Sequence, residues 1–148
     1  MTNIRIATRA VAAALLFSAV AVTMVHADDN GGKNNSTEVR LRTRLAGAAI
    51  AGMVPEGNGD FRSRPDRSRT NLSVGVENVN LPANTVLTVS IKLPNAAAAT
   101  TVGTITLSAL HEGELELDSR DGDAIPAVVT GTMVTVSNGA TPILTGVF

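Results

Sequence analysis

Apolar and polar residues alternate along most of the chain after residue 37. Such an alternation puts apolar side chains on one side of an extended strand and polar side chains on the other. The pattern covers the ranges 39–45, 72–77, 87–93, 104–107 and 114–118. We therefore predict half-buried β-strands throughout this part of the chain, and no long helix.

Turn residues separate these runs. Asp121-Gly122 and Asn138-Gly139 are dipeptides that join adjacent antiparallel strands through tight turns. The segment 45–57 is rich in alanine, but its three glycines favour a strand end followed by a loop. Seven to nine short strands at this spacing predict an all-β domain over residues 37–148, either a single antiparallel β-sandwich or a small barrel.

The first 27 residues have the organisation of a secretory signal peptide. Arg5 and Arg9 precede the apolar stretch 11–25, which is shorter than the roughly 20 residues that a membrane span needs. Compact side chains at the end of this region predict cleavage between Ala27 and Asp28, and an uncleaved anchor is the alternative. We expect a secreted or periplasmic protein with no transmembrane span in its mature chain.

The polar segment 28–36 contains no apolar residue and is predicted to be a disordered spacer. The leader holds two of the 12 basic residues and none of the 13 acidic ones, so the remaining chain carries 10 and 13, a net charge of −3. Cysteine is absent, and His111 is the histidine that remains after cleavage. The usual zinc and copper sites are therefore excluded. Nucleic acid is also not an expected partner, because bases would find almost no aromatic side chains on which to stack.

Charge is segregated along the chain. Seven of the ten mature basic residues lie within 40–69, and six of the thirteen acidic residues lie within 112–123. Strand alternation puts Arg40, Arg42 and Arg44 on one side of their strand, and it does the same for Glu114, Glu116 and Asp118. The two rows either form cross-strand ion pairs on a solvated face or are separate patches. An arginine patch would bind an envelope polysaccharide, lipid headgroups, another protein, or the acidic row of a second copy.

The turn 118–123 contains candidate ligands for a calcium ion. Asp118, Asp121 and Asp123 supply closely spaced carboxylate oxygens beside Gly122, and hard cations prefer such ligands. The loop lacks the distal glutamate of an EF-hand, and Arg120 lies among the ligands. An ordinary hairpin turn is the alternative.

Candidate catalytic groups are scarce. His111 lies in a predicted turn, and the chain has no G-x-S-x-G nucleophile motif. A secreted hydrolase that uses two carboxylates from distant strands is the enzymatic alternative that the sequence leaves open. The apolar C-terminal run 143–148 is predicted to be the last strand, with Phe148 covering the core. Donation of this strand to another subunit is the second interpretation.

Four stretches together carry a family resemblance: VENVNLPANTVLTV (76–89), VGTITL (102–107), GELEL (113–117) and ILTGVF (143–148). They resemble small exported bacterial all-β domains without an established activity. The likeness spans residues 37–148 and implies export and a β-sandwich. The chain is also similar to the secreted β-domain of chordin-like proteins, but the characteristic histidine pair of that family is absent, so no metal ligands are transferred.

These observations predict an exported, non-enzymatic β-domain with a structural, adhesive or self-associating role in the cell envelope or the extracellular space. The alternative is a calcium-binding or polysaccharide-binding domain. No cofactor is expected, and calcium is the one alternative.

Overall fold

The computed structural model describes residues 38–148. These residues form eight β-strands and two single-turn 3-10 helices. The predicted signal peptide and spacer lie outside these residues. The strands are β1 (Val39–Ala46), β2 (Glu56–Arg64), β3 (Arg69–Glu77), β4 (Val86–Lys92), β5 (Thr100–Thr106), β6 (Gly113–Asp118), β7 (Met133–Asn138) and β8 (Thr141–Val147), and the 3-10 turns are Pro65–Arg67 and Ser119–Asp121.

All eight strands belong to one antiparallel sheet in the order β5-β4-β7-β8-β1-β2-β3-β6. The outermost strands, β5 and β6, approach each other but share no hydrogen-bonded ladder. The sheet is therefore a nearly closed barrel. The predicted all-β fold is confirmed, and the strand number lies within the predicted range.

The alternation in sequence becomes an alternation in burial. Leu72, Val74 and Val76 of β3 are at most 1% exposed, whereas the polar residues between them face outwards. The inward side chains of the whole sheet form one hydrophobic cluster that is mostly aliphatic. Because the inward positions of every strand supply this cluster, the outward positions are not needed for the core.

Strand β2 has glycine at two of its inward positions. It directs Gly57, Gly59 and Phe61 inwards, and a Cβ atom at Gly59 would lie 3.0 Å from the Phe148 ring. Phe148 is 3% exposed, and its backbone N–H donates to the carbonyl of Thr132 over 2.9 Å. The prediction that Phe148 covers the core is confirmed, and glycine in β2 makes room for its ring.

The barrel has two narrow joins. β8 pairs with β1 only at Ala46 and Thr145, and a Cβ at Gly47 would lie 1.8 Å from the Ile143 carbonyl oxygen. Between β5 and β6, a Cβ at Gly103 would lie 2.8 Å from Leu115. These joins divide the sheet into two four-stranded halves, β1-β2-β3-β6 and β5-β4-β7-β8.

One turn prediction is confirmed and one is wrong. Asn138-Gly139 connects β7 to β8, which are paired neighbours. Asp121-Gly122 follows β6, but the next strand, β7, pairs with β4 and β8. Gly122 has a φ of 90° and ends a 3-10 turn, so its turn is real but leads into a long connection across the barrel. The segment 45–57 forms the predicted strand end and loop, and β2 begins at Glu56.

Candidate functional site

The outward side chains of β1, β2, β3 and β6 form a surface that we call the charged face. Three rows cross it from β1 to β6 in the order set by strand pairing. They are Arg44–Asn58–Gly75–Glu114, Arg42–Asp60–Ser73–Glu116 and Arg40–Arg62–Asn71–Asp118. Each row begins with an arginine and ends with an acid. The predicted arginine and acidic rows therefore lie on one face, with two strands between them.

The arginine row is paired with acids of β2. Arg40 Nη2 and Arg42 Nε lie 2.7 and 2.8 Å from Asp60 Oδ2, and Arg44 Nη2 lies 3.4 Å from Glu56 Oε2. Burial by itself raises the pKa of Asp60, but the hydrogen bonds from Arg40 and Arg42 outweigh it and lower that pKa. The side chain of Arg44 is 89% exposed, so it is the arginine of this row that is most available to a partner.

A second cluster of charged side chains lies at the end of the face where β1 begins, next to Glu38. Arg64 Nε donates to Glu38 over 2.7 Å, and this bond is the main cause of the lowered pKa of Glu38. Arg62 Nε lies 3.1 Å from the other oxygen of Glu38 without the geometry of a hydrogen bond. It is the one buried side-chain polar atom without a hydrogen-bond partner in the part of the chain that the structure describes. Such atoms are rare in folded proteins.

The acidic end of the face is anchored by Arg69, whose Nη2 donates to Asp118 over 2.5 Å. This bond, followed by one from the backbone N–H of Arg120, lowers the pKa of Asp118 from 3.8 to about 2. Glu114 accepts a 2.6 Å hydrogen bond from the Ser73 hydroxyl. Among residues 38–148, Glu114 and Glu116 take part in no ion pair.

The predicted calcium turn uses its oxygen atoms internally. Asp118 binds Arg69 and the N–H of Arg120, while Asp123 Oδ2 accepts the N–H of Asp118 over 2.9 Å. Asp121 is exposed. Across residues 38–148 no three His, Asp or Glu side chains are grouped so that they could hold a metal ion. The calcium interpretation remains a prediction, and it requires Asp118 to leave Arg69.

A shallow trough runs along β3 between the two charged rows. The outward residues in the middle of β3 are short, namely Asn71, Ser73 and Gly75, whereas β2 and β6 carry longer side chains on either side. Two adjoining depressions of about 340 and about 290 Å³ lie over this strand. The trough therefore has a polar floor, an arginine-containing wall and a glutamate wall.

Strand β2 and its charges were missed from the sequence. Its inward glycines interrupt the apolar alternation, so the segment Glu56–Arg64 has no clear strand pattern. Asp60, which binds two arginines, was consequently not recognised as their partner. Asn58, Asp60 and Arg62 alternate with glycine and phenylalanine. This polar alternation is the sequence signal that would have identified the strand.

The remaining histidine is not part of the charged face. His111 is half-buried in the β5–β6 loop, and its Nδ1 lies 3.1 Å from the carbonyl oxygen of Leu81. Within residues 38–148 no helix is long and apolar enough to cross a membrane. No protein-family model matches the chain, and no curated protein matches its sequence.

Proposed function

We propose that the chain is an exported, non-enzymatic β-domain with a structural or adhesive role in the cell envelope or the extracellular space. The charged face is the contact surface in this proposal. The observation that carries it is the arrangement of three arginines on β1 opposite three acids on β6, on one face and in matching rows.

Energetics support a binding role for these charges. Ion pairs on a solvent-exposed surface contribute about 0–1 kcal/mol each, so a fold with a complete aliphatic core gains little from them. The strands of the half β5-β4-β7-β8 form with Lys92 as their one charged residue. Complementary charges do affect encounter rate and orientation when two surfaces meet. The concentration of charge on one half is therefore better explained by contact with a partner than by stability.

The test is retention of the purified exported protein by a cell-envelope fraction of the producing organism. We expect low-salt binding that is released at about 0.5 M salt, where the Debye length is only a few ångströms. The double variant Arg44→Gln/Glu116→Gln should lose most of this retention and keep its fold. The matched control is Lys92→Gln, which removes an outward charge from the other half. Equal retention of all three proteins would show that the charged face is not the contact surface.

Polysaccharide binding in the trough is a second candidate, favoured by its floor of amide and hydroxyl groups beside Arg62. Electrophoresis through gels that contain polygalacturonate should then retard the protein, whereas gels with neutral dextran should not. Ser73→Leu would fill the trough without changing its charge, so this variant should abolish the retardation. Unchanged mobility of the original protein in polygalacturonate would exclude this candidate.

A further inference from the structure

The three rows of the charged face have a self-complementary order. Read from β1 to β6, each row runs from positive to negative, with polar or paired residues between the ends. If a second face is turned by 180° about an axis parallel to the strands, β1 lies over β6 of the second copy and β2 lies over β3. Positive ends then meet negative ends in every row. A two-fold interface requires this kind of self-complementarity.

We propose that two copies of the chain associate face to face through the charged face, about a two-fold axis parallel to β2 and β3. This inference rests on the proposed function, since it names the partner of the same surface. Each contact occurs twice. Arg44 lies opposite Glu114 of the second copy, Arg42 opposite Glu116, and Arg40 opposite Asp118.

The middle of the interface contains no like-charge contact in these three rows. Its pairs between β2 and β3 of the second copy are Asn58–Gly75, Asp60–Ser73 and Arg62–Asn71. In the pairs Asp60–Ser73 and Arg62–Asn71, a charged group lies opposite a neutral polar group with which it can form a hydrogen bond. The short outward side chains of β3 leave room for the larger side chains of β2.

The same rows reject the other simple orientation. An axis perpendicular to the strands would place each strand over its own copy. Arg42 would then face Arg42, Asp60 would face Asp60, and Glu116 would face Glu116. Like charges that lie opposite each other disfavour an association strongly. The strand register therefore selects the parallel axis.

The two end rows limit the strength of the dimer. In the proposed orientation Glu56 faces Glu77 of the second copy, and Arg64 faces Arg69. The arginine contact is moderated, because Glu38 binds Arg64 and Asp118 binds Arg69 within each chain. A flat face of four strands, each with the nine residues of β2, would measure about 19 by 30 Å. Each copy therefore buries at most about 600 Å², below the usual 800 Å². We therefore expect a weak dimer that salt dissociates.

Sedimentation equilibrium of the purified exported protein provides the test. The original protein should show a concentration-dependent dimer at about 10 mM salt and a monomer at about 0.5 M salt. Arg44→Glu and Glu114→Arg should each weaken association at least about tenfold, because each places like charges together twice. An equimolar mixture of the two variants should dimerise again. The glutamate introduced in one variant then faces the arginine introduced in the other, and the unchanged Arg44 faces the unchanged Glu114. Lys92→Glu is the control and should associate like the original.

Recovery in the mixture is the decisive result, because a folding defect in either variant cannot produce it. Circular dichroism melts confirm that the variants remain folded. If one of them does not, Arg42→Glu and Glu116→Arg, the equivalent pair of the next row, replace Arg44→Glu and Glu114→Arg. Original protein that stays monomeric at low salt, or a mixture that stays monomeric, would overturn the proposed dimer. If that happens while an envelope fraction still retains the protein through Arg44 and Glu116, the proposed function stands with a different partner. If the protein neither dimerises nor is retained by an envelope fraction through Arg44 and Glu116, both proposals are overturned.

Discussion

The two halves of the barrel bury similar side chains and present different surfaces. β1, β2, β3 and β6 carry twelve charged residues, whereas β5, β4, β7 and β8 carry Lys92 alone. The outward positions of the second half hold hydroxyl groups instead, as in the row Thr101–Ser90–Thr135–Thr145. Both halves direct valine and leucine inwards, and β5-β4-β7-β8 adds isoleucine. The core therefore constrains only the inward positions, and the outward positions differ between the two halves.

Removal of the Phe148 ring should have the largest effect, because this ring lies between the two halves. The residue follows β8 and packs over Gly59 of β2 at 3% exposure. We expect Phe148→Ala to lower the free energy of unfolding by about 3–5 kcal/mol in urea titrations. Val147→Ala is the control, since Val147 is 41% exposed and should change stability far less. Equal losses in the two variants would contradict the packing of Phe148.

A side chain at the β8–β1 join should have the next largest effect. A Cβ at Gly47 would lie 1.8 Å from the backbone oxygen of Ile143, so Gly47→Ala forces the two halves apart. We expect a loss of about 1–3 kcal/mol or more, measured by thermal and urea unfolding. Gly75→Ala is the matched control, because its Cβ would meet only the movable amide of Asn58, at 3.0 Å. The join is not rigid if both variants are equally stable.

Acid should lower the free energy of unfolding through the ion pair between Arg69 and Asp118. The pKa of Asp118 is lowered to about 2 in the folded chain by the bond from Arg69, so the carboxylate form favours folding. This contribution is complete above the unfolded value of 3.8 and is lost as the pH falls through about 2. Urea titrations between about pH 5 and about pH 2 should give a flatter decline for Asp118→Asn than for the original protein. Asp121→Asn, at an exposed position, should decline like the original.

A smaller effect is expected from a like-charge pair within the charged half. Glu56 and Glu77 are directly opposite on β2 and β3. Like charges in this arrangement are unfavourable, so Glu77→Lys should raise the free energy of unfolding by about 0.2–1 kcal/mol, with the gain decreasing in high salt. Glu77→Gln should give part of the gain. A decrease in stability for both variants would mean that Glu77 has a favourable contact elsewhere.

Calcium should have the smallest effect. Because Asp118 and Asp123 already accept hydrogen bonds within the chain, we expect the same melting temperature in millimolar calcium and in chelator. A ligand that binds only the folded state must raise stability. An increase with calcium that Asp121→Asn removes would therefore support the calcium-binding alternative.

Strands with apolar side chains at every second position were predictable, because burial of one face leaves a direct trace in sequence. β3 and β4 follow this rule over 72–77 and 86–92, β6 follows it at Leu115 and Leu117, and β1 follows it except at Thr43. β2 was not predictable in the same way, since Gly57 and Gly59 occupy its inward positions. Gly59 leaves space for the ring of Phe148, which is far along the chain, and Gly57 lies against the carbonyl oxygen of Gly75 and the side chain of Leu45.

The candidate site was likewise predictable only in part. Arg40, Arg42 and Arg44 were recognised as one row and Glu114, Glu116 and Asp118 as another, because alternation alone assigns residues to one side of a strand. Whether the rows touch depends on strand order. β2 and β3 lie between β1 and β6 and so separate the two rows. The arginines of β1 therefore form ion pairs with Asp60 and Glu56 of β2.

Local information in the chain was thus sufficient for the all-β character, for the strands with apolar alternation, for the aliphatic core and for the covering role of Phe148, since these depend on neighbouring residues and on burial. The tertiary structure alone decided that the sheet is a nearly closed barrel, that Asp121-Gly122 begins a crossing connection, and that the two charged rows share one face. Strand order and register are long-range properties, because residues far apart in sequence must pair before they are defined.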